Sequence, residues 1–509
     1  MKIFKDSEKK QVYIGTILSY ITIFANSIYG FVIAPFVLST VGDSDYGVYQ
    51  TIASLANSLM IIDVGLGATL VKYTAEYRAK GELFKIAKLL KTVLNFSVVI
   101  SICVIALIIY IYAGFDKIYG STFNDWELGY AKTLVILFGL NMVLMLFDDL
   151  LAGIIGGLNR LVVSNGIRFS KVFLRYVFIL VLLPFVKSTI LIIYLNIALT
   201  IAFMFVEFLY ARPYLKNLEV REYVDDSVNS KQILVYSFYI FAMAIVNQVN
   251  GNLDNVIIGA EMGAAFVTIY SFALTIFSAY DNISSSISKN LLPTVTNITY
   301  NNPEHIEPFI SKVGRVQFML MGAVLFCFAV IGKDFVILWL GERFTDVYYI
   351  SLILLIPSTL ELCVNTCLAM LRALNKLGFR TIVLTITTIV NALITVIGVK
   401  IYGYYAASVG TAFSVIVGSV LIMNIYYYKK LNINILRVYY NIFHGTIDAL
   451  LIASIPTWIL NHYLCLNWVN IIIQGFCFML VYVACLFIFG LNCKEKQTLL
   501  SMLKAINNR

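Results

Sequence analysis

Apolar runs long enough to cross a bilayer recur along this whole chain, and no fold in water could bury them all. A spanning helix needs about 20 mostly apolar residues. Residues 12–38 meet that length without one charged side chain. Thirteen further runs follow, at 46–71, 92–113, 131–156, 161–185, 188–211, 232–259, 264–288, 316–340, 346–371, 381–402, 404–428, 438–461 and 467–490. Many exceed 20 residues, which implies tilt or extension into the headgroups. Composition agrees: 60% of the 509 residues are apolar and 13% charged, where soluble proteins carry about 25% charge. A soluble globular protein, a disordered chain and a secreted disulfide scaffold are excluded. The fold class expected is an all-α polytopic membrane protein with 14 transmembrane helices.

The first run begins after MKIFKDSEKK and is too long for the apolar core of a signal peptide, so it reads as a retained span. Basic residues gather on the cytoplasmic side of membrane proteins. With a cytoplasmic N-terminus, 30 of the 37 Lys and Arg fall on that side. Lys117, Lys132, Lys187, Lys333, Arg343 and Lys400 fall outside, and Arg175 lies within a span. Both termini are therefore expected in the cytoplasm. The net charge of +9 is a topological signal. No basic run with interleaved aromatics accompanies it, so no nucleic-acid partner is expected.

Two short stretches recur. Gly42 to Tyr49 opens span two and Gly263 to Tyr270 opens span eight, each with Gly and then Tyr seven residues on. Leu158-Asn159-Arg160-Leu161 joins spans four and five, and Leu374-Asn375-Lys376-Leu377 joins spans ten and eleven. The offsets are 221 and 216 residues. They divide the chain into an N-terminal tail (1–11), an N-lobe of spans 1–6 (12–211), a linker (212–231) and a C-lobe of spans 7–12 (232–428). Spans 13–14 (438–490) and a C-terminal tail (491–509) are appended. Six spans per half give a parallel repeat, and such repeats build transporters with the substrate path between the halves.

VGDSDYGVYQ (41–50) followed by IIDVGLGATLVKY (61–73) resembles the second-span signature of polysaccharide-biosynthesis membrane proteins. These are the O-antigen and capsule oligosaccharide flippases of the multidrug/oligosaccharidyl-lipid/polysaccharide (MOP) superfamily. NLDNVIIGAEMGAAFVTIYSFA (252–273) resembles the matching signature of the second half. The resemblance covers essentially the whole chain. It implies a bacterial cytoplasmic-membrane protein that moves undecaprenyl-pyrophosphate-linked sugar repeat units by alternating access. It further implies two six-helix lobes in a V, with the prenyl tail in lipid along spans 13–14. A gradient of H+ or Na+, or the membrane potential acting on an anionic cargo, would supply the drive, and polymerase or chain-length proteins of the same pathway would be partners. The lipid II flippase branch carries arginines in its first span. The uncharged run 12–38 departs from it, which argues against a peptidoglycan precursor as cargo.

A charge within a span is costly and faces a cavity or a partner. Arg168, Lys171 and Arg175 share one face of span five at i, i+3 and i+7. Arg175 is ~21 Å along the helix from residue 161. A cationic ladder of this kind would hold a pyrophosphate, since Arg forks onto phosphate oxygens. The alternative is pairing of the lower two with Asp148 and Asp149 on span four. Glu361, deep in span ten, reads as an isolated carboxylate for ion coupling, alongside Asp148 and Asp149. It could instead stay protonated or pair with Arg175. Asp63 with Gly65 and Gly67, and Asp254 with Gly259, match the signatures and read as structural, as do Gly263 and Tyr270. Asn247, Gln248, Asn250, Gly251 and Asn252 on span seven read as cavity lining that binds sugar hydroxyls. Asp281, Asn282, Ser284, Ser285, Ser286 and Ser288 on span eight read the same way.

The remaining features carry less. Pro35, Pro357 and Pro456 interrupt spans 1, 10 and 13, as moving bends or static kinks. The eight Cys read as small buried hydrophobes. Cys363 and Cys367 share a helix face but lack the further ligands of a zinc site. His444 and Asp448, at i, i+4 on span thirteen, read as a helix-surface pair. His305 and His462 fall in loops. No phosphate-binding Walker pattern occurs, so no ATPase and no cofactor is expected. Two other classes stand beside this reading. A drug/cation antiporter of the same superfamily would want an acidic cavity, against Arg175 and Lys171. A membrane glycosyltransferase, ligase or polymerase would want a large outer loop. The longest here is about 114–130, with Asp116, Asp125 and Glu127, too short to house an active site.

Overall fold

The computed structural model describes residues 28–59, 66–80, 83–158, 160–216, 251–289, 291–374 and 376–491. Residues 14, 18, 21, 22, 24–26, 495 and 496 are described as well. Every regular element among them is helical. In chain order they are α1 (Ala34–Val41), α2 (Asp43–Leu59), α3 (Leu66–Lys80), α4 (Leu83–Tyr119), α5 (Asp125–Gly157), α6 (Leu161–Val186), α7 (Ile190–Lys216) and α8 (251–262). The second set is α9 (Ala264–Lys289), α10 (Leu292–Asn301), α11 (Ile306–Leu340), α12 (Asp346–Cys363), α13 (Thr366–Ala373), α14 (Leu377–Tyr402), α15 (Tyr405–Ser414) and α16 (Met423–Leu431). Then come α17 (Ile435–Phe443), α18 (Thr446–Tyr463) and α19 (Trp468–Cys485). The chain divides into two compact units, residues 1–268 and 269–509, with the boundary inside α9.

Twelve helical segments among the described residues are long and apolar enough to cross a membrane. They answer to expected spans 1, 3–6 and 8–14. Expected span two contains residues 60–65 and span seven contains 232–250, which lie outside the described residues. The helices outrun the hydropathy boundaries: α4 starts nine residues before its apolar run and α11 ten. A helix continues past the bilayer because its hydrogen bonds stay internal there, whereas hydropathy registers only the apolar stretch. Their lipid-side faces are apolar, with Phe185, Ile472 and Phe476 largely exposed.

In the first unit α5 is the hub, packed by α2, α3, α4 and α7. Its start is fixed by a capping box. Asn124 Oδ1 accepts from Glu127 N and Glu127 Oε2 accepts from Asn124 N, both at 2.9 Å. The α3–α5 seam relies on missing side chains, since a Cβ on Gly157 would sit 2.5 Å from Thr74 Cβ. Such seams let backbones approach where lipid offers no hydrophobic drive. Residues 251–268 lie against α2. Asn255 Nδ2 donates to Ser54 Oγ (2.9 Å) and Thr268 Oγ1 to Asp43 O (3.0 Å). A Cβ on Gly47 would overlap Ala264 O, and one on Gly259 would lie 2.8 Å from Thr51 Cγ2. Gly259→Val is therefore expected to cost about 1–3 kcal/mol by overpacking. Gly251→Ala meets open space and leaves the thermal midpoint in detergent unchanged or higher; equal midpoints for the two variants would contradict this seam.

The two recurring stretches are built alike. Gly42 (φ +88°) and Gly263 (φ +96°) both take the left-handed conformation just ahead of a helix, where an L side chain is strained. The tyrosines seven residues on, Tyr49 and Tyr270, are both buried. Leu158 and Leu374 close their helices by donating to Ile154 O and Met370 O.

In the second unit α11 is the hub, packed by α12, α17, α18 and α19. Spans 13 and 14 thus dock on span nine. Phe318, Cys363, Cys367, Ile442, Leu450 and Phe478 fill the junction. A Cβ on Gly314 would meet Cys363 O at 2.4 Å, and Tyr482 Oη donates to Met319 O at 2.9 Å.

Several expectations change here. Span thirteen is two helices: α17 ends at Phe443 and Gly445 turns at φ +72° before α18. His444 and Asp448 therefore do not share a helix face. Span ten likewise breaks between α12 and α13, which separates Cys363 from Cys367, although both are buried. Pro357 and Pro456 lie inside continuous helices rather than interrupting them. Pro35 follows a wide π turn at Tyr29–Ile33; Pro has no N–H to offer, and the widened turn accommodates that loss. Cys103 and Cys465 are exposed, not buried. Cys493 lies outside the described residues.

Candidate functional site

The three cations of α6 come to three different environments. Arg168 is exposed near the helix start. Lys171 Nζ lies 2.7 Å from Asp148 Oδ2 on α5, with both side chains largely buried. One turn deeper, Arg175 has no carboxylate partner among the described residues. Its Nη1 donates to Asn196 Oδ1 (3.3 Å) and its Nη2 to Tyr176 Oη (3.0 Å). The guanidinium carbon stands 4.9 Å from the Tyr176 ring centre and 5.7 Å from that of Tyr29. Those two rings stack at 5.1 Å, and Tyr176 Oη donates to Asn26 Oδ1 at 2.6 Å. Neutral amides and π faces position this cation while leaving its charge unmatched. Its Nε is buried without an acceptor.

Around Lys171 the structure assembles five charges from three helices. Asp148 and Asp149 come from α5, Arg168 and Lys171 from α6, and Glu207 from α7. They form one layer. Asp148 is nine residues from the end of α5, Lys171 ten from the start of α6 and Glu207 nine from the end of α7, each ~14–15 Å of helix. Glu207 is 4% exposed, and its Oε2 has no hydrogen-bond partner among the described residues. Sequence reading passed over it. The signal was present, however: Glu207 is the lone acid in an otherwise apolar α7 run, at the depth of its counterparts.

Glu361 is not isolated. Arg380 Nη2 on α14 lies 3.3 Å from its Oε1. Glu361 stands two residues before the break that ends α12, and the next helices bring Arg380 back to it. Neither the pairing with Arg175 nor a solitary carboxylate describes it. Removing its charge with Glu361→Gln leaves Arg380 half-matched in a partly buried setting. A loss of about 1–2 kcal/mol in stability is expected, between exposed and buried pairs, read as a fall in thermal midpoint. Gradient-dependent transport that persists in that variant removes Glu361 from ion coupling.

Asp254 is buried at 4% exposure, and the Gly259 carbonyl accepts from Thr122 Oγ1 (3.2 Å). Ser284 is buried, with Gln317 Nε2 of α11 3.4 Å from its Oγ. Asp63, Gly65, Asn247, Gln248 and Asn250 lie outside the described residues, as does the side chain of Ser285.

Comparison with known proteins places the fold. The family model described as polysaccharide biosynthesis protein matches residues 13–299. An uncharacterized membrane protein in the cps region of Klebsiella pneumoniae is 25% identical over 179 residues, 35% of each chain. The chain thus spans about a third of that curated relative's length. Among solved structures, the lipid II flippase MurJ in an inward closed conformation is similar at TM-score 0.71 and 14% identity, over 93% of this chain and 98% of that one. An inward-facing multidrug resistance MATE family transporter of the MOP superfamily is similar at TM-score 0.59 and 12% identity, over 77% and 92%. At such identities the likeness is one of fold. This multi-pass helical membrane chain, with the fold of MOP-superfamily transporters, belongs to the polysaccharide biosynthesis protein family.

Proposed function

We propose that the protein is a flippase for undecaprenyl-pyrophosphate-linked oligosaccharide repeat units, acting by alternating access in surface polysaccharide biosynthesis. The observation that carries this reading is Arg175, a cation deep in a span with neutral partners and no carboxylate partner among the described residues. An unmatched charge in a span marks a function, and the complement of a guanidinium is an oxyanion such as phosphate. The family supports the pathway, and the fold supports transport without ATP. The repeat halves 12–211 and 232–428 act as the two lobes. The pyrophosphate contacts Arg175 and Lys171, sugar hydroxyls meet the amides of span seven, and the tail stays in lipid near spans 13–14. Polymerase and chain-length proteins of the pathway receive the product.

Purified protein in proteoliposomes with a fluorescent polyprenyl-pyrophosphate oligosaccharide tests it. The head group should become accessible to an outside reagent at a rate that scales with protein. No such movement, with export of a cationic dye from the same vesicles, would overturn the flippase and make the protein an antiporter.

A further inference from the structure

The five-charge layer has one member, Glu207, whose Oε2 meets no hydrogen-bond partner among the described residues. Lys171 gives its ammonium to Asp148 at 2.7 Å. Arg168 is exposed on the same helix. Glu207, on the helix packed against both α5 and α6, is left buried with Oε2 unsatisfied. The remaining oxygen of the paired acid, Asp148 Oδ1, is buried without a partner too. Among the described residues, Asp148 and Asp149 on α5 and Lys171 and Arg168 on α6 act electrostatically on Glu207. Among the described residues three carboxylates thus share two cations, and one of those cations is turned to the surface. A carboxylate without donors in a low-dielectric layer is costly when charged, and more so beside two others.

We propose that Glu207 is the proton-carrying carboxylate of this protein, exchanging one proton with the aqueous phase against the Lys171–Asp148 pair. With Glu207 protonated, Lys171 belongs to Asp148, the arrangement observed. When the proton leaves for water, the Glu207 carboxylate competes for the Lys171 ammonium, and Asp148 loses its partner. Proton occupancy at Glu207 therefore sets which acid holds Lys171, the lower rung beneath Arg175. A proton suits the site better than a metal cation. The position next to the carboxylates is already taken by an ammonium, and a metal ion beside it would be repelled and short of oxygen ligands. The coupling role rests on the transport reading above; the protonation of Glu207 does not.

Two measurements separate the two. The first is infrared difference spectroscopy on the full-length protein in vesicles across a pH titration. A protonated-carboxyl stretch should be present at neutral pH in wild type and missing in Glu207→Gln, with no other carboxyl band changed in amplitude. A spectrum identical in both proteins would overturn the proposal whether or not the vesicles transport anything. The second is the same proteoliposome assay with the outer face, where the head group becomes accessible to the reagent, made one pH unit more acid. For one coupled proton the steady-state distribution of the head group should shift about tenfold, equivalent to about 1.4 kcal/mol. In Glu207→Gln the shift should vanish while gradient-free exchange continues. A full tenfold shift in Glu207→Gln would overturn the coupling role. Should wild type fail to move the lipid-linked sugar at all, the flippase reading falls, and the infrared result alone decides Glu207.

Discussion

Arg175→Ala is expected to slow head-group translocation by roughly 100-fold or more while the protein still folds and inserts. One charge-assisted hydrogen bond contributes about 1.5–3 kcal/mol, and a fork onto a pyrophosphate makes two. Loss of about 3 kcal/mol from the loaded state is a factor of roughly 100. The stability effect should be smaller, because Arg175 is bonded to neutral groups and breaks no ion pair when removed. Two further variants isolate the cause. Arg175→Met keeps an extended apolar stem between Tyr29 and Tyr176 and should be as slow as Ala. Arg175→Lys restores the charge without the fork and should recover part of the rate, since the two cations differ in geometry rather than sign. Full transport by a well-expressed Arg175→Ala protein would leave Arg175 as a packing residue among its tyrosines. It would also remove the main support for an anionic cargo.

Much of this arrangement was legible before any coordinates, and the failures share a cause. Apolar runs located twelve crossing segments among the described residues because burial in lipid is decided by length and hydropathy alone. The depth of the α6 cations was legible because helical rise is fixed. What hydropathy could not give was partner choice. Glu361 reads as solitary along its own span. Its partner, Arg380, is nineteen residues on and reaches it only after the chain has broken at Val364 and turned at Lys376. Glu207 was missed for the same reason. The pattern rule sought several charges on one face, and Glu207 is single on α7. It becomes part of a site only when α5, α6 and α7 are packed together. The supposed His444–Asp448 pair failed because periodicity assumes an unbroken helix, and Gly445 breaks it with a positive φ.

Arg315→Ala is the variant expected to cost most in stability, and it tests how the last two spans are held. Arg315, next to the apolar run 316–340, is one of the 30 basic residues that the charge count puts on the cytoplasmic side. The structure places it within α11 at 6% exposure. Its Nη1 donates to Asn441 O (2.6 Å) and His444 O (3.0 Å), and its Nη2 donates to Gly490 O. Its Nε lies 3.1 Å from Glu495 Oε1. Those carbonyls are where the broken helix α17–α18 and the end of span fourteen run out of internal donors. One guanidinium from α11 thereby joins the start of span 13 to the end of span 14. Truncation leaves several buried carbonyls without their donor and removes the ion pair with Glu495, which costs about 3–5 kcal/mol. A lower thermal midpoint should accompany faster hydrogen exchange confined to residues 435–490. Arg315→Lys should recover little, because one ammonium cannot serve carbonyls spread over a planar fork. Unchanged exchange in Arg315→Ala would mean that the apolar junction of Phe318, Ile442, Leu450 and Phe478 holds these spans unaided. Slow translocation in Arg315→Ala, with Arg175 intact, would tie the position of spans 13 and 14 to the cycle and support a prenyl tail lying against them. A normal rate with loosened spans would place the tail elsewhere on the lipid-facing surface.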